Sequence, residues 1–491
     1  MPSVVEVRHG SYHDSVSLMQ VSKAVSLVPG VRAALVAMGT ELNLDLLAGM
    51  GFGPAPSASP SDLLVAVEAA DDESLQAALS TCDAELAALS RGSAHDGSGS
   101  LAPARSLGSA ARRLDATLAL VSVPGPQAFV EAMDALDAGL SVMLFSDNVP
   151  VEAEIALKDT AAARDLLVMG PDCGTAVVGG VGLGFANVVR PGSVGLVAAS
   201  GTGAQQMLSL LDAAGVGVSH CLGVGGRDLS AAVGARSTRA ALAALDADPE
   251  TDMLVVVSKP PAPEVAEAVR AYAATLSTPV VLVLIGEGQP DLTAGAEKVL
   301  AARGEAVPQW PSWQPSEPRP PRPGALRGLF SGGTLCDEAM VIAAATLGTV
   351  RSNIPLRPEW ALPADLRSPD HLMIDFGDDA LTQGRAHPMI DPTLRLERLA
   401  AEVTDPATGV VLLDVVLGHG SHPDPGRELA DVVRRSEVPV VVSLCGTESD
   451  PQGLSRQAEA LASAGAEVYL SNAAAARRAV TLVEQAKENH Q

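Results

Sequence analysis

Short runs of Val, Leu, Ile and Ala recur along this chain. Each is followed by a stretch whose apolar positions fall three and four apart. The first pattern predicts buried strands and the second amphipathic helices. Residues 4–8, 33–38 and 63–69 read as strands, each followed by a helix, at 14–27, 41–50 and 73–89. On the first helix Val16, Met19, Val21 and Val25 make one broad apolar face. Residues 1–90 are therefore expected to be a small α/β domain. A second set follows within 105–190, with strands at 117–123, 141–145 and 166–169 and helices at 127–138 and 151–163, as in half of a doubly wound Rossmann-like fold. A third, within 191–308, has strands at 194–198, 218–222, 253–257 and 279–285 with helices between. The expected class is thus multidomain α/β, with uniformly apolar strands of the kind that parallel sheets bury on both faces.

Two stretches break the alternation. Residues 90–104 are rich in Ser and Gly and read as a flexible linker. Residues 308–323 hold seven prolines with Trp310 and Trp313, and read as an extended strap. After the strap the third pattern repeats within 325–491. Ser200-Gly201-Thr202-Gly203 is matched by Ser331-Gly332-Gly333-Thr334. The strand ending at Val257 and its Ser258-Lys259-Pro260-Pro261 loop are matched by the strand ending at Val416 and its Gly418-His419-Gly420-Ser421-His422 loop. Two flavodoxin-like domains follow from this, with all these loops at the carboxyl ends of their strands, where such folds bind ligands.

The paired turns are the first candidate chemistry. A turn without bulk between a strand and a helix leaves backbone N–H groups at the helix start, where they and the dipole favour an anion such as phosphate. Ser200, Gly201, Thr202, Gly203, Ser331, Gly332, Gly333 and Thr334 are the candidate phosphate cradles; the alternative is a tight turn with no ligand. The glycine loop Gly223-Val224-Gly225-Gly226-Arg227-Asp228 adds Gly225, Gly226 and Arg227 as candidate substrate contacts. Asp375, Asp378 and Asp379 have the chemistry to hold a magnesium ion but read first as helix-capping residues, and no metal is assigned. His9, Tyr12 and His13 read as surface residues of the first turn.

Composition narrows the partners. A net charge of -25 over 491 residues excludes nucleic acid and anionic membrane as main partners, so a small-molecule substrate is expected. No apolar stretch is long enough to span a bilayer. Met1 is followed by Pro-Ser-Val-Val-Glu without a basic-then-apolar leader, and the five cysteines are scattered. A reduced, cytoplasmic chain is expected, with no zinc or disulfide framework.

The order of these pieces resembles a known family. Val123-Pro124-Gly125-Pro126, Gly170-Pro171-Asp172-Cys173-Gly174, Ser200-Gly201-Thr202 and Gly223-Val224-Gly225-Gly226 are similar in order and spacing to the α chain of succinyl-CoA synthetase over about 105–305. Further phrases, among them Ala37-Met38-Gly39-Thr40-Glu41, Leu183-Gly184-Phe185-Ala186-Asn187 and Gly384-Arg385-Ala386-His387-Pro388-Met389, resemble the FdrA family over nearly the whole chain. The resemblance implies a CoA-binding-type domain at 105–190 and synthetase-type domains at 191–308 and 325–491. It also implies a subunit acting with further subunits, as in the carbamoyltransferase of allantoin breakdown, which converts oxalurate and phosphate to oxamate and carbamoyl phosphate. The alternatives are an ADP-forming acyl-CoA synthetase subunit, or a scaffold of either complex.

The departures favour the transferase. The synthetase needs a phosphate-carrying histidine in a Gly-His-Ala-Gly loop. Residues 285–296 hold none, and no histidine lies between His220 and His371. The acidic residue that steadies it is replaced near Ser258-Lys259-Pro260 by the opposite charge. Prolines remove donors from the turn where the CoA nucleotide would sit. No segment resembles an ATP-grasp domain. No cofactor is therefore assigned; phosphate or carbamoyl phosphate is the expected substrate, with CoA only under the alternative. His422, His419 and His387 are candidate proton carriers. Arg385 and Arg227 are candidates for carboxylate or phosphate contacts. Asn187 completes the candidate substrate set.

Overall fold

The computed structural model describes residues 2–11, 13, 15–53, 58–92, 104, 106–382 and 386–488. Arg385 and Tyr12 lie outside the described residues. The chain divides into two compact units, one built on residues 1–106 and one on residues 107–381 and 387–491.

The first unit carries β1 (Ser3–Arg8), α1 (Ser15–Ser26), β2 (Val31–Met38), α2 (Glu41–Gly49), β3 (Leu63–Ala69) and α3 (Asp72–Gly92). β3 lies between β1 and β2 and is antiparallel to both. Its central place explains why Leu63, Leu64, Val65, Ala66 and Val67 are all fully buried. One face packs on Leu18, Val21 and Val25 of α1 and on Ala78 and Cys82 of α3.

The second unit begins with α4 (Leu107–Ala111), β4 (Leu118–Val121), α5 (Gly125–Asp137), β5 (Ser141–Leu144), α6 (Val151–Ala162) and β6 (Val168–Met169). The three strands form a parallel sheet in chain order. A six-stranded sheet follows, from β7 (Thr175–Val178), β8 (Val181–Gly184), β9 (Pro191–Ala199), α7 (Gly201–Ala213), β10 (Val218–Gly223), α8 (Arg236–Asp246), β11 (Met253–Ser258), α9 (Pro263–Ala273), β12 (Val280–Leu284) and α10 (Leu292–Arg303). Its order is β12-β11-β9-β10-β7-β8. The first four strands are parallel, as their apolar runs require, and the β7–β8 hairpin adds antiparallel strands to the edge.

The strap is pinned rather than loose. β13 (Ser312–Trp313) pairs antiparallel with the last strand of the next sheet. Arg319 donates to the carbonyls of Ser436, Gly465 and Val433. Beyond it come β14 (Ala325–Phe330), α11 (Gly333–Leu347), β15 (Arg351–Ser352), β16 (Leu372–Asp375), α12 (Asp379–Thr382), α13 (Thr393–Glu402), β17 (Thr408–Val416), α14 (Pro425–Val433), β18 (Val440–Cys445), α15 (Leu454–Ser463), β19 (Ala466–Tyr469) and α16 (Asn472–Glu488). The sheet order is β13-β19-β18-β17-β14-β16-β15.

β9 and β14 hold the same place in the two large sheets. Each has neighbours on both sides reached by crossovers of opposite direction. Their carboxyl ends therefore open on the crevice where doubly wound folds bind ligands. α7 and α11 start there. Polar residues of α7 face the last domain: Gln206 Nε2 donates to the Leu470 carbonyl at 2.9 Å, and Gln205 Nε2 to the Leu417 carbonyl at 3.3 Å. Among the described residues no helix is long and apolar enough to cross a membrane.

Candidate functional site

A glycine in each turn, Gly203 and Gly332, lets the starts of α7 and α11 meet. Ser200 caps α7, its Oγ accepting the Gly203 N–H at 2.9 Å. The same Oγ lies 2.7 Å from Thr334 Oγ1 in the first turn of α11. A methyl group built on Gly332 would stand 2.6 Å from Thr202 Cγ2, so no other residue fits there without displacement. Ser200, Thr202, Gly203, Gly332 and Thr334 are thus in mutual contact. At both starts the first N–H groups, including those of Gly201, Thr202, Gly333 and Thr334, have no intrahelical acceptor.

The second turn differs from the sequence expectation. Ser331 N–H and Gly332 N–H donate to Asp414 Oδ1 and Oδ2, both at 2.8 Å, and Ser331 Oγ adds a third bond at 2.9 Å. A carboxylate of the chain itself occupies the place assigned to phosphate. Asp414 in turn holds Arg395 Nη1 at 2.6 Å. Burial raises the Asp414 carboxyl, with Arg395 opposing. Ser331 and Gly332 are therefore held by the protein itself, and the candidate anion donors left on this side are the N–H groups of Gly333 and Thr334.

Next to this junction stands Lys259, which follows β11. A methyl group on Gly333 would lie 3.5 Å from its Nζ and 2.7 Å from Asp375 Oδ2. One on Gly226 would lie 3.8 Å from the Nζ and 4.0 Å from Asp172 Oδ2. Both glycines thus lie against this one ammonium, and at Gly333 the approach of Asp375 leaves no room for a side chain. Gly225, with φ of +88°, brings the loop against the Pro171 carbonyl, where a side chain has no room. Burial works against the charge on Lys259, but Asp337, Asp172 and Asp375 outweigh it and raise its pKa. Burial pushes Asp375 up to about 7 and Asp337 up to about 6, with Lys259 opposing in both. Asp172 is also pushed up to about 7 by burial. Yet Asp172 is exposed to solvent. Water there screens it, so Asp375 and Asp337 set the behaviour of the cluster. Perturbed carboxyls grouped around a lysine make this cluster a candidate functional site.

His387 borders this cluster. Its Nδ1 accepts the Met389 N–H at 3.2 Å, which assigns the ring proton to Nε2. A methyl on Gly377 would meet that Nε2 at 2.8 Å and Asp375 Oδ1 at 3.2 Å. Burial, then Arg395, lowers its pKa to about 4, so the imidazole is neutral. Its ring lies 5.7 Å from that of Phe185. His422 sits on another side of the second turn, in a small pocket with Ser331, Met389 and Arg395. Its Nε2 is 3.0 Å from Glu428 Oε1 and its Nδ1 accepts the Asp424 N–H at 3.1 Å. His419 is exposed near Gly182.

Two expected substrate contacts are engaged elsewhere. Arg227 donates to the Val149 carbonyl at 2.7 Å and pairs with Glu154 Oε2 at 3.0 Å, tying the glycine loop to the first parallel sheet. Asn187 is buried, donating to the Leu417 carbonyl at 3.0 Å and Asp450 Oδ2 at 2.8 Å. It joins two domains and has no amide proton left for a ligand. Asp378 accepts the Ala380 N–H in the first turn of α12, as a capping residue does. Among the described residues no group of three or more His, Cys, Asp or Glu side chains is arranged for a metal. Sequence reading passed over Lys259 and Asp337 as site residues. The signal was a lysine directly after an all-apolar strand, and an aspartate inside the apolar first turns of α11.

Comparisons with known proteins agree with this architecture. Residues 1–103 match a family described as AllF, heavy metal-associated domain, and residues 329–482 match the family described as CoA-ligase. YahF, an uncharacterized protein of Escherichia coli (strain K12), is 37% identical over 495 residues, covering 94% of this chain and 95% of its own. The succinate–CoA ligase [ADP-forming] subunit alpha 2 of Archaeoglobus fulgidus is 31% identical over 24% of this chain and 42% of its own. The malate–CoA ligase subunit alpha of Methylorubrum extorquens is 27% identical over 36% and 60%. Among solved structures, a dinucleotide-forming acetyl-coenzyme A synthetase 1 of Ca. Korarchaeum cryptofilum aligns with 79% of this chain and 88% of its own, at 15% identity and a TM-score of 0.30. The chain belongs to the FdrA family, multidomain α/β proteins with the CoA-ligase-like fold of succinyl-CoA ligase α chains.

Proposed function

We propose that this chain is a carbamoyltransferase subunit that helps move a carbamoyl group between phosphate and a small amide acid such as oxamate. The observation that carries this reading is the meeting of two helix starts at Ser200 and Thr334, 2.7 Å apart at their hydroxyls, beside a lysine. Transfer from an acyl phosphate is mostly positioning and charge stabilisation, and helix starts with an ammonium supply both. The N–H groups of Gly201, Thr202, Gly333 and Thr334 take the phosphate. His387, neutral with its proton on Nε2, donates to a developing oxyanion. Further subunits, a small-molecule substrate and a cytoplasmic setting go with this reading, and phosphate or carbamoyl phosphate is substrate rather than cofactor.

The relatives favour a second reading, an ADP-forming acyl-CoA synthetase subunit. The synthetase-type CoA seat fits poorly. A methyl built on Gly125, the glycine of the corresponding turn, would meet the Asp147 carbonyl and, at 2.6 Å, the Asn148 carbonyl. The close approach that this glycine permits is used by the chain's own loop. Pro124 and Pro126 also remove two donors from that helix start.

The deciding assay is phosphate-dependent cleavage of oxalurate by the chain with its partner subunits, followed as carbamoyl phosphate. Gly201→Val, which blocks the open turn, is expected to lower the rate by about 10²–10³. His387→Ala and His422→Ala test the proton carriers in the same assay, and Arg385→Ala the candidate arginine. ATP- and CoA-dependent thioester formation without oxalurate cleavage would establish the second reading instead.

A further inference from the structure

Phe185 ends the β7–β8 hairpin, and its ring stands between two others. The Phe145 ring lies 5.8 Å away at 39° and the His387 imidazole 5.7 Å away at 38°, both within the range of favourable ring pairs. The three rings come from three places in the chain: the loop after β5, the hairpin, and the stretch between α12 and α13.

Phe185 is fixed by its backbone. Its N–H donates to the Gly174 carbonyl at 2.8 Å, and its carbonyl accepts Thr175 Oγ1 at 3.0 Å. The residues that follow are tied to the last domain. The Ala186 carbonyl accepts the His419 N–H at 2.9 Å, and the Val188 N–H donates to Asp450 Oδ1 at 2.7 Å. Gly420, with φ of +78°, passes so close to the ring that a methyl there would stand 3.0 Å from Phe185 Cδ1.

His387 takes the Met389 N–H on Nδ1. A bond of that kind fixes the tautomer but leaves the plane of the ring to be set by packing. Of the charged groups around the imidazole, Arg395 of α13 opposes its protonation and Asp375 stands across the Gly377 position. On the hairpin side residues 179–187 carry no charge, and the exposed His419 borders Gly182. What the hairpin brings to His387 is the apolar ring of Phe185.

We propose that Phe185 is a positioning residue: its ring sets the plane of the His387 imidazole and keeps water from that face. The assignment rests on the role given to His387 above. It goes further in making the six-stranded sheet aim a group of the last domain. The same hairpin borders the open turn, because Thr175 Oγ1, which holds the Phe185 carbonyl, is the atom that a methyl on Gly201 would meet, at 3.7 Å. One hairpin thus sets the proton donor against the phosphate turn, and groups that act on one reacting centre need such support.

The test is a pH titration of the full chain with nitrogen-15-labelled histidine, followed by NMR, with His387→Gln to assign the signal. In the wild type the His387 ring stays neutral down to about 4. Phe185→Ala lets water reach the imidazole and is expected to raise that midpoint by about one unit or more, toward the ordinary histidine value. Phe185→Tyr keeps the ring and should keep the wild-type midpoint. Phe145→Leu thins the same packing without removing the ring against His387, and should also keep it. In the oxalurate assay Phe185→Ala should lower kcat by about tenfold with KM nearly unchanged, as a misaimed proton donor does. A melting curve accompanies each variant, and Phe185→Leu is the second route if Phe185→Ala folds poorly. An unmoved midpoint in the folded variants, or equal effects of Phe145→Leu and Phe185→Ala, overturns the assignment. A moved midpoint without oxalurate cleavage by the wild-type complex keeps Phe185 beside His387 and rejects the transfer reading. Cleavage that His387→Ala abolishes and Phe185→Ala leaves intact rejects the assignment and keeps the reading.

Discussion

The two large doubly wound domains start their first crossover helices with nearly the same four residues, yet they use the turns differently. In the second, Ser331 and Gly332 are latched to Asp414 of the neighbouring strand. The register identifies what stands in its place in the first domain. Leu329 pairs with Leu413, one residue before Asp414, and Ala198 pairs with Val257, one residue before Ser258. Ser258 is fully buried and its Oγ has no hydrogen-bond partner. A carboxylate that reaches two N–H groups has thus been matched by a hydroxyl that reaches none. One turn is closed by the protein, and the other lacks the latch. Similar turn sequences do not make similar sites; the residue across the sheet decides.

Asp414→Ala should have the largest effect. It frees two buried N–H groups and leaves Arg395 buried without its carboxylate, which typically costs about 3–5 kcal/mol. Ser258→Ala removes a hydroxyl that bonds nothing and should change stability by less than about 0.5 kcal/mol. Chemical denaturation of both variants measures the contrast. Equal losses would mean that the two turns are held alike after all.

The glycines divide the same way. Gly332→Ala forces a methyl against Thr202, and overpacking of this kind costs about 1–3 kcal/mol. The corresponding methyl on Gly201 would find only Thr175 Oγ1, at 3.7 Å, so Gly201→Ala should leave the melting temperature near that of the wild type. A large loss in Gly201→Ala would show that the first turn is as tightly packed as the second.

Much of this architecture was legible in the chain because parallel strands are apolar on both faces and their crossover helices keep a clear period. The matching turns were legible for the same reason: they interrupt strong patterns at equivalent points. Their different fates were not. Asp414 lies in the middle of an otherwise apolar strand, and its partners Ser331, Gly332 and Arg395 come from 83, 82 and 19 residues away in sequence. Arg227 reads as a ligand contact because its planar fork of donors matches a carboxylate or phosphate, and Asn187 because it stands in a phrase that carries the family resemblance. Only the fold brings Glu154 and Asp450 to them. Lys259 was visible as a reversed charge. Its meaning came from Asp337 and Asp375, which the second domain supplies.

The cluster between the domains also predicts a pH dependence. In the unfolded chain Asp375 loses its proton near 3.8, and in the folded protein burial holds it until about 7. Between those values the unfolded chain binds fewer protons, so this group's contribution to stability is complete below the lower value and is lost as the pH rises through the upper one. The slope from such a group reaches about 1.4 kcal/mol per pH unit. Asp375→Asn keeps an oxygen for the Gly377 N–H and removes the titration. Its stability should fall less between pH 4 and 7 than that of the wild type. Parallel profiles for the two proteins would place the titrating group elsewhere.

The smallest effect bears most directly on whether the two turns act together. Ser200 Oγ caps its own helix and also meets Thr334 Oγ1 of the other domain. Ser200→Ala therefore loses a cap, about 1 kcal/mol, as well as the contact. Thr334→Val keeps the shape of the side chain and loses only the hydroxyl. The double variant separates the cap from the contact, because the cap is lost whether or not Thr334 is present. A coupling of about 0.5–1.5 kcal/mol is expected, the net value of a buried hydrogen bond. Phosphate should make the comparison sharper. If the anion sits across both helix starts, it stabilises the wild type in proportion to its occupancy, and either single variant should reduce that gain. If only Ser200→Ala reduces it, the anion belongs to the first turn alone and α11 merely supports it. If neither does, the contact is a domain joint rather than a cradle.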